Sequence, residues 1–250
     1  MLNAQSTFCK AYGLRSDSIV SNDLSEDMVR LDNGNLAMCG RTTYNYATGY
    51  RDDFMLTVTD STGNLVWMKS YGLSAIEVAY GICETADADL VAVGYTTSYG
   101  LGKDIYVVRT DSMGNILWAK AFVSPGDNAA YDVQPTADNG VIIGGEEQEL
   151  WSAFLMKVDS SGNIAWVKNY YDNNGNGSFG CRSVNINADG GYILSGWTDA
   201  LSLNWDIDLL LIRTDSVGEL LWSAAYGTTY DEFWLMKKSS AVEIADSGFV

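Results

Sequence analysis

The chain has 250 residues, of which 15 are Lys or Arg, 32 are Asp or Glu and none is His, giving a formal net charge of −17. The missing imidazole excludes Ser-His-Asp and Cys-His catalysis and His-ligated zinc or haem. The acidic balance argues against nucleic acid or anionic lipid as the main partner, since both demand basic patches, and no apolar run is long enough to span a bilayer as a helix.

In chain order, Met-Leu-Asn-Ala-Gln-Ser at 1–6 looks like the tail of a cleaved secretory signal, although it lacks the basic and long apolar parts of one. Residues 8–13, FCKAYG, align with WMKSYG at 67–72, so 7–13 is expected to form a lone strand ahead of the first full repeat. From there two phrases alternate. One is an Asp-rich turn followed by an apolar run that usually ends in Gly: LDNGNLAMCG at 31–40, ADADLVAVG at 86–94, ADNGVIIGG at 137–145, ADGGYILSG at 188–196 and ADSGFV at 245–250. The other is an apolar run, Asp-Ser-x-Gly and a Trp: DFMLTVTDSTGNLVW at 53–67, DIYVVRTDSMGNILW at 104–118, SAFLMKVDSSGNIAW at 152–166 and DLLLIRTDSVGELLW at 208–222. Successive tryptophans of the second phrase lie 51, 48 and 56 residues apart. A fixed period of this size means stacked copies of one supersecondary unit.

Asn-Gly and Gly-Gly between short apolar runs are hairpin chemistry, because such turns need positive φ. Each period therefore holds four strands: a before the Asp-rich turn, b after it, c before Asp-Ser-x-Gly, and d carrying the Trp. The c runs are apolar at successive positions, as suits strands covered on both faces. These features predict an all-β fold, a β-propeller of four-stranded antiparallel blades in one domain over 1–250. The blades are expected at about 26–72, 78–122, 129–170 and 180–226, with a partial fifth at 231–250. The strand at 7–13 would close the last blade, removing an exposed sheet edge. On this reading the natural chain continues past Val250, by about one strand for a five-bladed ring and further for a larger one.

The order of segments, GYTTSYG at 94–100 or GWTDA at 196–200, then Asp-Ser-x-Gly-Asn, then Trp-x-Lys-x-Tyr, resembles the short propeller repeats of bacterial secreted and cell-surface proteins. These are common in Bacteroidetes, where many such proteins leave the cell by type IX secretion. The resemblance spans essentially the whole chain. It implies an extracellular or surface location, associated with the outer membrane; separately, no cofactor is expected, with calcium possible. The Asp-x-x-Gly-x-x-x-Trp phrase also resembles the tryptophan-docking repeat of quinoprotein propellers and the Asp-box of sialidases. The box is a structural turn, and the three-arginine cluster of the sialidases has no recognisable counterpart. WD-repeat proteins fit less well, since their blades need Gly-His.

Residues that recur at equivalent places in different repeats are expected to be structural. Asp60, Asp111, Asp159 and Asp215 suit backbone capping of the c–d turn; Arg109, Arg213 and Lys157 share one place on strand c; Lys69, Lys120 and Lys168 are expected on a solvated blade edge. Cys9, Cys39, Cys83 and Cys181 lack any CxxC spacing and read as buried thiols or as one disulfide in an oxidising compartment.

Function is expected where the repeats diverge. In an antiparallel abcd blade the b–c and d–a connections share one side, and there the segments 41–52, 95–104, 145–152 and 197–208 are long and aromatic. Tyr44, Tyr46, Tyr50, Tyr99, Trp151 and Trp205 are the candidate binding residues. They suit stacking on a saccharide ring or anchoring a protein interface, and equally suit folding back over the blade tops. Asp172, Asn174 and Asn176 followed by Gly177 match the opening of a calcium loop, but position twelve is Ser183 instead of Glu, so a weak calcium site competes with a polar connection. The leading expectation is a non-enzymatic interaction or scaffold propeller binding a protein partner, for example an outer-membrane complex. The alternative is a carbohydrate-binding propeller acting on a polysaccharide. A third reading, a hydrolase or lyase, would draw on Glu146, Glu147, Glu149 and Asp206.

Overall fold

The computed structural model describes residues 13, 21–46, 49–100, 102–172, 177–200 and 206–227. Among these residues sixteen strands form four antiparallel four-stranded sheets, each a meander in chain order. Sheet I contains β1 (Ser21–Arg30), β2 (Leu36–Tyr46), β3 (Gly49–Thr59) and β4 (Leu65–Tyr71). Sheet II contains β5 (Glu77–Glu84), β6 (Leu90–Thr96), β7 (Asp104–Thr110) and β8 (Ile116–Phe122). Sheet III contains β9 (Asn128–Pro135), β10 (Val141–Glu147), β11 (Ser152–Val158) and β12 (Ile164–Tyr170), and sheet IV β13 (Phe179–Ile186), β14 (Tyr192–Thr198), β15 (Asp208–Thr214) and β16 (Leu220–Tyr226). The first strands pack in succession, β1 on β5, β5 on β9 and β9 on β13, an order consistent with a propeller-like arrangement with strand a innermost. The expected closing strand at 7–13 and the partial repeat at 231–250 lie outside the described residues. Among the described residues no helix is long and apolar enough to cross a membrane.

The tight turns follow the sequence chemistry. In each c–d turn one Asp carboxylate oxygen accepts two backbone N–H bonds, from Thr62 and Asn64 to Asp60 at 2.9 and 2.8 Å and likewise at Asp111, Asp159 and Asp215. Gly63, Gly114, Gly162 and Gly218 supply the left-handed residue that completes the turn. These bonds, those from Asn64, Asn115 and Asn163 above all, hold Asp60, Asp111 and Asp159 below the ordinary carboxylate range. In the a–b turn of sheet III, the Thr136 hydroxyl and the Lys157 ammonium lower Asp138 to about 2. A folded-state pKa below the unfolded one gives stability that is present above the unfolded value and lost as pH falls through the folded one. The urea midpoint is therefore expected to hold from pH 7 to about 5 and to fall between about 4 and 2. A flat midpoint down to pH 2 would contradict these turn contacts.

Burial matches the strand positions. All seven residues of β7 and of β11 are buried, whereas β8 and β12 on the outside are half exposed. Cores lie between neighbouring sheets: Phe54, Leu56 and Val58 pack with Ala79, Leu90 and Tyr106, and Val91, Val93 and Val107 with Ile143, Phe154 and Met156. Cys39, Cys83 and Cys181 are buried, Cys83 and Cys181 as free thiols.

The d strands staple each sheet to the next one. Trp67 Nε1 donates to Ser112 O and Trp118 Nε1 to Ser160 O, both at 3.0 Å, while the hydroxyls of Tyr71 and Tyr170 donate to Gly114 O and Gly218 O at 2.8 Å. The lysines between them depart from the expected solvated edge. Lys69 reaches Asn115 Oδ1, Lys120 reaches Gly162 O at 2.7 Å, and Lys168 pairs with Glu219. The Trp-x-Lys-x-Tyr phrase thus grips the Asp-Ser-x-Gly turn of the following sheet, because alternate residues of a strand share one face.

One feature of strand a was not visible in the sequence. Pairing with strand b shifts by one residue in all four sheets, leaving Glu26, Tyr80, Tyr131 and Arg182 as bulge residues. The glycine that ends the apolar b phrase faces each bulge. A Cβ on Gly40, Gly94, Gly145 or Gly196 would run into the carbonyl of Leu24, Val78, Ala129 or Gly180. A bulge brings two backbones close and re-aims a side chain, which explains both the recurrent glycine and the placement of the residue opposite it.

Candidate ligand site

Two columns of the repeat converge at the mouth on the b–c side. The bulge column reads Glu26, Tyr80, Tyr131, Arg182; the residues following the glycine read Arg41, Tyr95, Glu146, Trp197. Neither column repeats a residue type except for one pair of tyrosines, whereas the turns around them are uniform.

Their side chains form a connected series. The rings of Tyr80 and Tyr131 stack at 5.0 Å, and that of Tyr95 lies 5.9 Å from Tyr80. The Arg182 guanidinium sits 3.8 Å over Tyr131, and Lys103 Nζ sits 4.7 Å over Tyr95. Glu146 joins two sheets: its Oε1 accepts from Trp197 Nε1 at 2.6 Å and pairs with Arg182 at 2.9 Å. A Cβ at position 180 would strike both Trp197 and Glu146, so Gly180 is what lets them meet. Burial pushes the Glu146 carboxyl above its ordinary pKa, against the pull of Arg182, Trp197 and Tyr131. Burial, with Glu146 alongside, pushes Tyr131 up to about 12, so its phenol stays neutral.

Beside this series opens a pocket of about 220 Å³, walled by Tyr131, Phe179, Trp151 and Trp197 and edged by Lys103, Asp127, Glu146, Glu147, Gln148 and Ser178. The 148–151 turn is rigidly built. The Glu147 carboxylate accepts from Glu149 N at 2.9 Å, Leu150 N at 3.0 Å and Ser152 Oγ at 3.1 Å. Trp151 N donates to Gln148 O, and Trp151 O accepts from Phe179 N at 2.9 Å. Trp151 has φ +50° and is 56% exposed.

Of the residues expected from sequence, Trp151 lines this pocket. Tyr44 instead bonds Ser70 Oγ on the outer strand of its own sheet at 3.2 Å, away from the mouth, and Tyr99 is 56% exposed on the 97–103 connection. Segment 41–52 is mostly paired strand, from Arg41 opposite Phe54 to Tyr46 opposite Gly49, and not a loop. Tyr46 and Tyr50 stand near its tip, but their side chains, like Trp205, lie outside the described residues. The same holds for Asn174 and Asn176; Asp172 borders a groove beside Lys168, Tyr170 and Glu219. Among the described residues no group of three His, Cys, Asp or Glu is placed to hold a metal ion. Tyr80, Tyr131 and Arg182 were missed from sequence; their signal is column divergence at one position inside strand a, away from the loops. Lys103 and Trp197 lie within the divergent segments 95–104 and 197–208 and are further residues of this site.

No family model and no curated protein matches the chain. Among solved structures it is similar to a protein of unknown function from Bacteroides caccae, at 8% identity and TM-score 0.45, covering 86% of this chain and 85% of that one. An initiation factor described as eukaryotic matches at 9% identity and TM-score 0.38, over 83% of this chain and 56% of that one. The extracellular domain of a one-component system from B. thetaiotaomicron matches at 12% and 0.25, over 91% and 32%. Likeness at this level carries no functional argument.

Proposed function

We propose that the chain is a non-enzymatic recognition propeller at the exterior of a bacterial cell, and that it holds its ligand at the mouth on the b–c side. The observation that carries this reading is the convergence of two divergent repeat columns on one aromatic pocket, on an otherwise uniform scaffold. Variable side chains on a rigid frame are how binding sites are built. A ring completed by the segments at 7–13 and 231–250 belongs to the same reading, supported by the alignment of FCKAYG with WMKSYG. The exterior location is supported by the resemblance of the repeats to those of bacterial surface proteins.

A hydrolase or lyase finds less support. Glu146 is tied to Arg182 and Trp197, and Glu147 is committed to three donors of its own turn. Neither carboxylate stands ready to move a proton, as general acid–base work requires.

The test places a photo-cross-linking amino acid at Leu150, beside the pocket, and at Met113, on the opposite c–d turn, in the full-length protein on its native cells. Both positions are exposed, at 48% and 69%. Adducts are expected from position 150 and not from 113. Equal labelling at the two positions, or none at 150, would overturn the reading.

A further inference from the structure

The pocket itself discriminates among ligand chemistries, and the argument rests on the recognition reading above. At about 220 Å³ it is smaller than the clefts of roughly 300–1,000 Å³ that hold drug-sized molecules. That size suits one ring. Charge removes the ionic candidates. An incoming cation meets Lys103 at the pocket edge and finds the face of Tyr131 already covered by Arg182, so that ring offers it no open face. An incoming anion meets Asp127, Glu146 and Glu147 in a chain of net charge −17. A purely apolar group would leave the polar edge without partners, a desolvation cost that opposes its binding.

What remains is a neutral ring with one apolar face and several hydroxyls. Asp127 uses Oδ1 for Lys103 N at 2.8 Å, and Gln148 uses Oε1 for Asp127 N at 3.1 Å. The second carboxylate oxygen and the Gln148 amide N–H groups are left as an acceptor and donors at the pocket edge. Above them stands Trp151. A bulky residue at positive φ is a strained outlier that persists only where its surroundings enforce it. Here the Glu147 turn and the bond from Phe179 enforce it, and the result is an indole held half exposed against the pocket.

We propose that this pocket binds a single neutral pyranose residue of a glycan, stacked on Trp151 and hydrogen-bonded through its hydroxyls to Asp127 and Gln148. The ring face of the sugar meets the indole, and the carboxylate accepts from a hydroxyl while the amide donates to another.

The experiment titrates full-length protein with methyl glycosides of glucose, galactose, mannose and N-acetylglucosamine, with methyl glucuronide as the anionic probe and glucosamine as the cationic one. Tryptophan fluorescence and calorimetry give the affinities. At least one neutral glycoside is expected to bind with Kd of about 1 mM or tighter, and neither charged probe more tightly. Trp151→Gly is expected to weaken that binding at least tenfold while leaving Tm unchanged or higher, because glycine tolerates the left-handed conformation. Gln148→Ala is expected to weaken it about fivefold, on the order of one lost hydrogen bond. Failure of every neutral glycoside, tighter binding of a charged probe, or full affinity in Trp151→Gly would each overturn the assignment. If the glycosides fail while adducts at position 150 persist, the sugar falls and the recognition reading stands; if both fail, both fall.

Discussion

Replacing Trp118 by alanine is expected to cost about 3 kcal/mol of unfolding free energy, the lower part of the range for large aromatic truncations because the ring is only partly buried. The indole of β8 leaves sheet II altogether. Its Nε1 donates to Ser160 O in the c–d turn of sheet III, and its ring lies so close to Gly162 that a Cβ there would sit 3.0 Å away. Truncation removes the ring, its hydrogen bond and the cover over part of the core between sheets II and III. For a chain of this size the loss corresponds to a Tm lowered by roughly 6–12 °C, measurable by thermal melting with circular dichroism. Gly162→Ala attacks the same contact from the other side. It forces a side chain to φ +78° and pushes on the indole, so it is expected to be destabilising too. A cost below about 1 kcal/mol for Trp118→Ala would contradict the docking of one sheet onto the next through the outer strand.

Arg109→Val is expected to cost about 3–5 kcal/mol, since it leaves the partner of a buried ion pair alone. Arg109 is 3% exposed on β7. Its guanidinium bonds Asp89 at 2.8–2.9 Å, Asn139 O at 2.8 Å and Ser160 O at 3.3 Å, so it ties the a–b turn of its own sheet to two turns of sheet III. Lys157 with Asp138 and Arg213 with Asp189 make similar pairs in sheets III and IV, from a carboxylate two residues earlier in the turn. Sheet I holds Val58 and Asn35 at the places of Arg109 and Asp89. The fold therefore contains its own version of the double replacement. Arg109→Val combined with Asp89→Asn is expected to recover most of the loss, to within about 1–2 kcal/mol of the parent, because no unpaired charge remains. Urea unfolding of the two single variants and the double closes the cycle. Additive losses would show that the two side chains are not coupled.

The repeat was legible because its period is written in residues that make turns. Asp111, Gly114 and Trp118 each have one local job, a cap, a left-handed turn residue and a docking ring, and a local job leaves a fixed spacing. The strands, their order and the structural role of Arg109 and Arg213 follow from that spacing. The lysines were misread because a strand pattern shows which face a side chain shares but not what stands opposite. Lys120 lies two residues after Trp118, and only the position of the next sheet turns that face into a grip on Gly162 O.

The candidate site was half legible. Loop composition pointed to the b–c side, and Trp151 is there. Tyr44 was included for the same reason, yet it lies on a strand and points to Ser70, because segment 41–52 pairs with itself as a hairpin. Tyr80, Tyr131 and Arg182 sit in strands that otherwise read as core, and nothing local marks them.

The four-stranded unit, its turns and the side on which the repeats differ can be read along the chain, since they depend on residues near one another, and the lack of any His rules out imidazole chemistry. Which divergent residues meet is set by the packing of the sheets. The bulge on each strand a is a property of pairing register, and it turns one residue per repeat toward the mouth; the meeting of Glu146 with Arg182 and Trp197 spans separate sheets. Contacts between residues about fifty positions apart are set by the stacking of whole sheets, and no local propensity encodes them.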